Sequence, residues 1–130
     1  MDDQAKKILI VEDEKDFLWF LRQSFDNQGL TVVYAQDGEQ GLATALSEKP
    51  DLMLIDIQLS KTEGKINGIE MARQVKEKGL NPKMIFLTNM TDPGHISEAL
   101  EAAGESDYMV KVDMHIDSVV KRVKDKLGIQ

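Results

Sequence analysis

The sequence predicts an α/β fold: a doubly wound parallel sheet with helices on both faces. Three observations predict it. Short apolar runs rich in β-branched residues alternate strictly with amphipathic stretches, five times over. Glycine or proline punctuates the joins, and charged or hydroxyl residues appear where the apolar runs end.

The first unit pairs a strand at 8–11 with a helix at 16–28, closed by Gly29. That helix carries Phe17, Leu18, Leu21 and Phe25 at core spacing. Trp19 and Phe20 widen the stripe, which predicts packing against a neighbouring helix; the alternative is an exposed Trp19 that docks a partner. The second unit runs from a strand at 31–35 to a helix at 39–47, stopped by Pro50. The third joins a strand at 52–55 to a helix at 69–78, closed by Gly79, across a long polar segment at 60–67. A strand at 84–87 and a helix at 95–103, closed by Gly104, make the fourth unit. The fifth has a strand at 108–110 and a terminal helix at 116–127. No internal repeat, low-complexity tract or linker interrupts them.

At 130 residues the chain is expected to be one domain, 1–130, that stands alone. It holds no apolar run near the ~20 residues that span a bilayer, and its start lacks the basic and apolar regions of a signal peptide. These features predict a cytoplasmic protein with no membrane insertion. With no cysteine, disulfides, thiolate metal sites and thiol nucleophiles are excluded, and His95 and His115 are too few for a zinc site. Both histidines lie beside helix starts among polar neighbours, which predicts surface or capping roles. Any metal should be hard and oxygen-bound. A net charge of -7 argues against direct binding of nucleic acid through phosphates. Lys121, Arg122, Lys124 and Lys126 nonetheless give the terminal helix a basic face that suits its C-terminal dipole and would suit an acidic partner.

Open α/β sheets place their sites at the carboxyl ends of the strands. Here Glu12 and Asp13 follow the first strand, Asp56 ends the third, Thr88 the fourth and Lys111 the fifth. If the first and third strands are neighbours, three carboxylates converge, and each pair about 4 Å apart repels by roughly 4 kcal/mol at an effective dielectric of about 20. Taken singly, each residue has an ordinary reading as helix cap, solvated lysine or strand threonine. Together they make a complete phosphoryl site. Asp13 and Asp56 suit a divalent metal such as Mg²⁺ (or Mn²⁺), which relieves the repulsion. Asp56 is then placed to attack phosphorus as a carboxylate nucleophile, with Lys111 and Thr88 meeting the phosphoryl oxygens.

The runs Ile8-Leu9-Ile10-Val11-Glu12-Asp13-Glu14, Leu54-Ile55-Asp56, Leu87-Thr88 and Tyr108-Met109-Val110-Lys111, in that order, resemble the receiver domains of two-component response regulators. The resemblance covers nearly the whole chain. It implies a flavodoxin-like strand order 2-1-3-4-5 and a single receiver domain without an output domain. It implies that Asp56 accepts a phosphoryl group from a sensor histidine kinase or phosphotransfer protein, acting as a switch and not as a turnover enzyme. It further implies Mg²⁺ bound by Asp13, Asp56 and the main-chain carbonyl of Gln58, with Glu12 acting through metal-bound water. Thr88 and Tyr108 are implied as the switch pair, the hydroxyl moving toward the phosphoryl group while the ring rotates inward. The face of the last two units would then change its preference for a downstream protein partner. A homodimer through that face is allowed by the sequence and not required by it.

The chain departs from the family pattern in three places. Leu59-Ser60 lacks the usual proline after the aspartate, and Gly68 lies 12 positions beyond Asp56, where the family has about eight. Val112, not proline, follows Lys111, so a cis peptide is not expected there. Asn89 follows Thr88 where the family commonly has a very small residue, which predicts altered access to the phosphoryl group and altered dephosphorylation.

Three other readings compete. An aspartate-nucleophile phosphatase wants a second aspartate two residues after the first, and Gln58 stands there. A receiver-like interaction module that is never phosphorylated has no reason to keep the full acidic, hydroxyl and ammonium set. A nucleotide-binding flavodoxin-like protein lacks its glycine-rich phosphate loop after the first strand.

Overall fold

Strands β1 (Lys7–Val11), β2 (Thr31–Ala35), β3 (Leu52–Asp56), β4 (Lys83–Thr88) and β5 (Tyr108–Val110) form one parallel sheet in the order β2-β1-β3-β4-β5. This is the order expected from the sequence. The structure, a computed structural model, describes residues 5–59, 67–89, 94, 96–97, 100–101, 104 and 107–129. Helices α1 (Lys15–Phe25), α2 (Gly38–Glu48), α3 (Gly68–Glu77) and α4 (Ile116–Leu127) flank the sheet. Of the helix expected at 95–103, Ile96, Ser97, Leu100 and Glu101 are described, and all are helical, as is Gly94 just before it. His95 and the segment 60–66 lie outside the described residues.

Period-two alternation within the strands divides the core in two. Ile8, Ile10, Leu52, Leu54, Ile85 and Leu87 pack with Leu18, Leu21 and Phe25 of α1 and with Val119 and Val123 of α4. Leu9, Val11, Met53, Ile55, Met84 and Phe86 face Ala45 of α2, Met71, Ala72 and Val75 of α3, and Ile96 and Leu100. The three inner strands are therefore covered on both faces, which is why they read as unbroken apolar runs. Each fully buried side chain of this kind contributes about 1.5–3 kcal/mol over an exposed one. The edge strands β2 and β5 are only partly covered.

Local chemistry sets the helix ends. Asp37 and Asn67 cap α2 and α3, each side chain accepting a hydrogen bond of 2.8 Å, from the Gln40 and Glu70 N–H groups respectively. Gly128 takes the left-handed conformation that closes α4, at φ 74°. α1 stops at Phe25, short of the expected 28, because Asp26 is already extended and Asn27 turns to φ 63°.

Trp19 corrects the expectation of helix packing: it is 64% exposed. The buried face of α1 is Leu18, Leu21, Ser24 and Phe25, and residue 19 lies a further 100° around the helix. Phe17 and Phe20 are half-buried and stack on one another, centroids 5.5 Å apart. His115 occupies the N-cap position of α4, exposed, without a side-chain cap bond. The basic face of α4 is partly engaged within the chain, since Arg122 and Lys126 both pair with Asp107.

Candidate functional site

The register places the carboxylates. Val11 of β1 pairs with Ile55 of β3, so the residues that follow, Glu12 and Asp56, emerge side by side at the carboxyl edge. Glu12 N–H extends the ladder toward β2 by donating to the Ala35 carbonyl at 3.0 Å. Asp56 pairs with Leu87 across β4. Glu12 is fully buried, Asp56 nearly so and Asp13 half-buried, and one carboxylate oxygen from each lies within 4.8 Å of the others. The convergence that the sequence implied is therefore present.

Lys111 reaches into this cluster from the far side of β4. It follows the end of β5 expected from the sequence and opens a 3-10 turn, Lys111–Asp113, because the ladder stops at Val110. Its peptide link to Val112 is trans. The ammonium donates to Asp56 Oδ2 at 3.0 Å and to Glu14 Oε1 at 3.1 Å, and lies 2.9 Å from Glu12 Oε1. That last contact lacks hydrogen-bond geometry. Glu12 Oε1 is therefore the buried side-chain oxygen without a hydrogen-bond partner among the described residues. The other Glu12 oxygen accepts from Glu14 N–H at 3.0 Å, and Asp56 Oδ1 accepts from Gln58 N–H at 2.9 Å.

Burial and charge compete here. Removal from water pushes the Glu12 carboxyl up to about 7, with the Asp56 charge adding to it and Lys111 opposing. Burial likewise raises Asp56 above its ordinary value, against the pull of Lys111 and the Gln58 N–H. For Lys111 burial acts downward, but the Glu12 and Asp56 carboxylates outweigh it and hold the ammonium charged well above the usual lysine range. One ammonium thus offsets only part of the charge of the three clustered carboxylates. An oxygen-only donor set with an orphaned buried oxygen is what a hard divalent cation such as Mg²⁺ requires, so the residues fit that ion.

The other sequence-predicted residues surround this centre. Thr88 is buried at the end of β4, in register with Val110. Asn89 is exposed and lines a cavity of about 400 Å³ together with Glu14, Asp16, Phe17, Phe20 and Lys111. Tyr108 pairs with Phe86, one side-chain repeat before Thr88, and stands 37% exposed. Gln58 touches Asp56 through its N–H.

Three contributors escaped the sequence. Glu14 and the Phe17 ring, whose centroid is 4.6 Å from the ammonium, hold Lys111 from outside. Gly68, noted only for its spacing, opens α3 directly against Asp56. A Cβ there would overlap the main-chain oxygen of Asp56 and come within 3.0 Å of its carbonyl carbon.

Comparison with known proteins agrees with the geometry. The family described as "Response regulator receiver domain" matches residues 8–124. Alkaline phosphatase synthesis transcriptional regulatory protein PhoP of Bacillus subtilis (strain 168) is 32% identical over 123 residues, covering 90% of this chain and 49% of that protein. The chain thus spans about half the length of the curated relatives it matches. A CheY-like response regulator receiver domain protein from Methanospirillum hungatei JF-1 superposes with a TM-score of 0.83 at 26% identity, covering 96% of this chain and 95% of that one. A DrrB receiver domain described as BeF3 activated gives 0.77 at 25% identity, over 96% and 99% of the two chains.

Proposed function

The chain belongs to the response regulator receiver domain family, and from that premise we propose that Asp56 accepts a phosphoryl group from the phosphohistidine of a sensor kinase or phosphotransfer protein. The observation that carries this reading is the position of Asp56: nearly buried at the carboxyl end of a central strand, with one oxygen on Lys111 and the other on the Gln58 N–H. An Asp56 oxygen forms the new bond to phosphorus as the donor's N–P bond breaks, and the imidazole keeps the electron pair and takes up a proton.

Lys111 follows the charge, passing from the Asp56 carboxylate to a phosphoryl oxygen, and the Thr88 hydroxyl donates to another. Asp13, Asp56 and the Gln58 main-chain carbonyl would hold Mg²⁺ or Mn²⁺, with Glu12 acting through its water. When bound, the ion supplies positive charge that offsets the carboxylates and the developing phosphoryl charge. Asn89, at the mouth, sets how freely water reaches the product.

The product is a signal and not a released metabolite. Thr88 and Tyr108 act as the switch pair, the Tyr108 ring turning into space the threonine hydroxyl leaves. The surface around β5 and α4 then changes its preference for a downstream protein partner. Such coupling is typically worth about 1–3 kcal/mol, so phosphorylation shifts a population between two arrangements of one fold.

Incubation with acetyl phosphate and Mg²⁺ followed by intact-mass measurement tests the proposal. One added phosphoryl group is expected, absent in Asp56→Asn; no addition, or equal addition in the variant, overturns it.

A further inference from the structure

The three N–H donors of Lys111 face three carboxylates: Asp56 and Glu14 through hydrogen bonds and Glu12 through an ion contact. Two of its N–H donors are taken by hydrogen bonds and the third side of the ammonium is pressed by the Glu12 charge, so an incoming phosphoryl oxygen must compete with these carboxylates for it. The three acceptors are unequal. The side chains of Glu12 and Asp56 are 0% and 4% exposed, whereas that of Glu14 is 47% exposed. A solvated ion pair is worth little, so Glu14 is the acceptor that yields.

Glu14 also occupies the N-cap of α1 without capping it. An aspartate or asparagine there ordinarily bonds a first-turn N–H and gains about 1 kcal/mol, but glutamate is not among the preferred caps and its longer side chain reaches past the helix end. This one turns instead to a lysine 97 positions away in sequence. Glu14 and Asp16 line the cavity that opens onto the ammonium, so any donor entering there meets negative charge first.

We infer that Glu14 is a specificity-determining residue that competes with the phosphoryl group for Lys111 and repels small, highly charged phosphodonors from Asp56. The inference rests on the reading of Asp56 as phosphoacceptor. Loss of the Glu14 carboxylate removes a competitor and a repelling charge together, two effects of the same sign. Loss of lysine alignment opposes them weakly, because Glu12, Asp56 and the Phe17 ring still hold the ammonium.

With acetyl phosphate, an Asp56 oxygen bonds to phosphorus as the P–O bond to acetate breaks, and acetate leaves with the electron pair. Time courses by intact mass, with Mg²⁺ at low salt, should show Glu14→Gln phosphorylated about three- to tenfold faster than wild type. That gain should shrink toward unity near 1 M salt and be smaller with the less negatively charged phosphoramidate. In metal-free protein, the same substitution should shift the Lys111 ¹⁵Nζ resonance and speed its proton exchange, a readout independent of phosphorylation. An equal or slower rate in the variant, a gain insensitive to salt and donor charge, or an unmoved Lys111 signal overturns the inference. A wild type that takes up no phosphoryl group overturns the reading of Asp56 and this inference with it; labelling of both proteins at equal rates overturns the inference alone.

Discussion

The ion cluster at Lys111 and the one on the outer face of α3 use the same chemistry with opposite results. On α3, Glu70 and Glu77 bracket Arg73 at the protein surface, and the guanidinium's hydrogen bonds hold the Glu70 carboxyl below its ordinary value. At the strand ends, Glu12 sits against a lysine just as closely, yet its carboxyl is pushed up to about 7. The difference is water. On the helix the charges never leave it, so the partner's attraction decides; in the site desolvation outweighs that attraction. An ion pair therefore says nothing about proton affinity until its burial is known, and here burial leaves the site short of positive charge.

The sharpest way to break this contrast is to remove each cation. Lys111→Met strands Glu12 and Asp56 as buried charges and should cost roughly 3–5 kcal/mol in urea unfolding at pH 8 with chelator present. The loss should shrink at pH 5, below the value of about 7 to which burial raises Glu12, where that carboxyl takes up a proton. A Lys111→Met protein as stable as wild type at pH 8 would mean that water reaches the cluster.

The next effect is the pH dependence of Glu12. Its folded value, about 7, lies above the ordinary 4.5, so the folded state binds the extra proton. The stability it contributes is complete below about 4.5 and is lost as pH rises through 7. Wild type without metal should lose up to about 3 kcal/mol relative to Glu12→Gln across that window. Added Mg²⁺ should remove the slope. Parallel stability curves for the two proteins would contradict the burial argument.

The smallest effect belongs to α3. Glu70 carries the reverse sign, its contribution present above its unfolded value and lost as pH falls through the folded one. Arg73→Gln should leave the urea midpoint within error of wild type at neutral pH, since both partners are solvated. A clear shift would mean that exposure does not separate the two clusters.

Much of this protein was legible before folding. The inner strands announce themselves because they are buried on both faces, so apolar identity persists along β1, β3 and β4. Thr31–Ala35, Tyr108–Val110 and Ile116–Leu127 match their sequence-derived bounds. The polar residues that break those runs, Glu12, Asp56, Thr88 and Lys111, are visible because parallel strands all end on one edge. Less legible were features that depend on orientation around a helix or on chain crossing. The side of α1 to which Trp19 belongs hinges on one 100° step. The approach of Gly68 to the Asp56 carbonyl depends on where a loop delivers a helix.

Periodicity and residue type by themselves determined the sheet, its layers and the family's set of strand-end groups, since those follow from which faces must avoid water. Only the tertiary structure decided how that set is charged and held. Glu14 and Lys111 meet across 97 positions of chain, and Glu12 loses its water because neighbouring strands close over it. Coulomb energy and desolvation depend on distances and burial in three dimensions, and no local pattern along the chain records them.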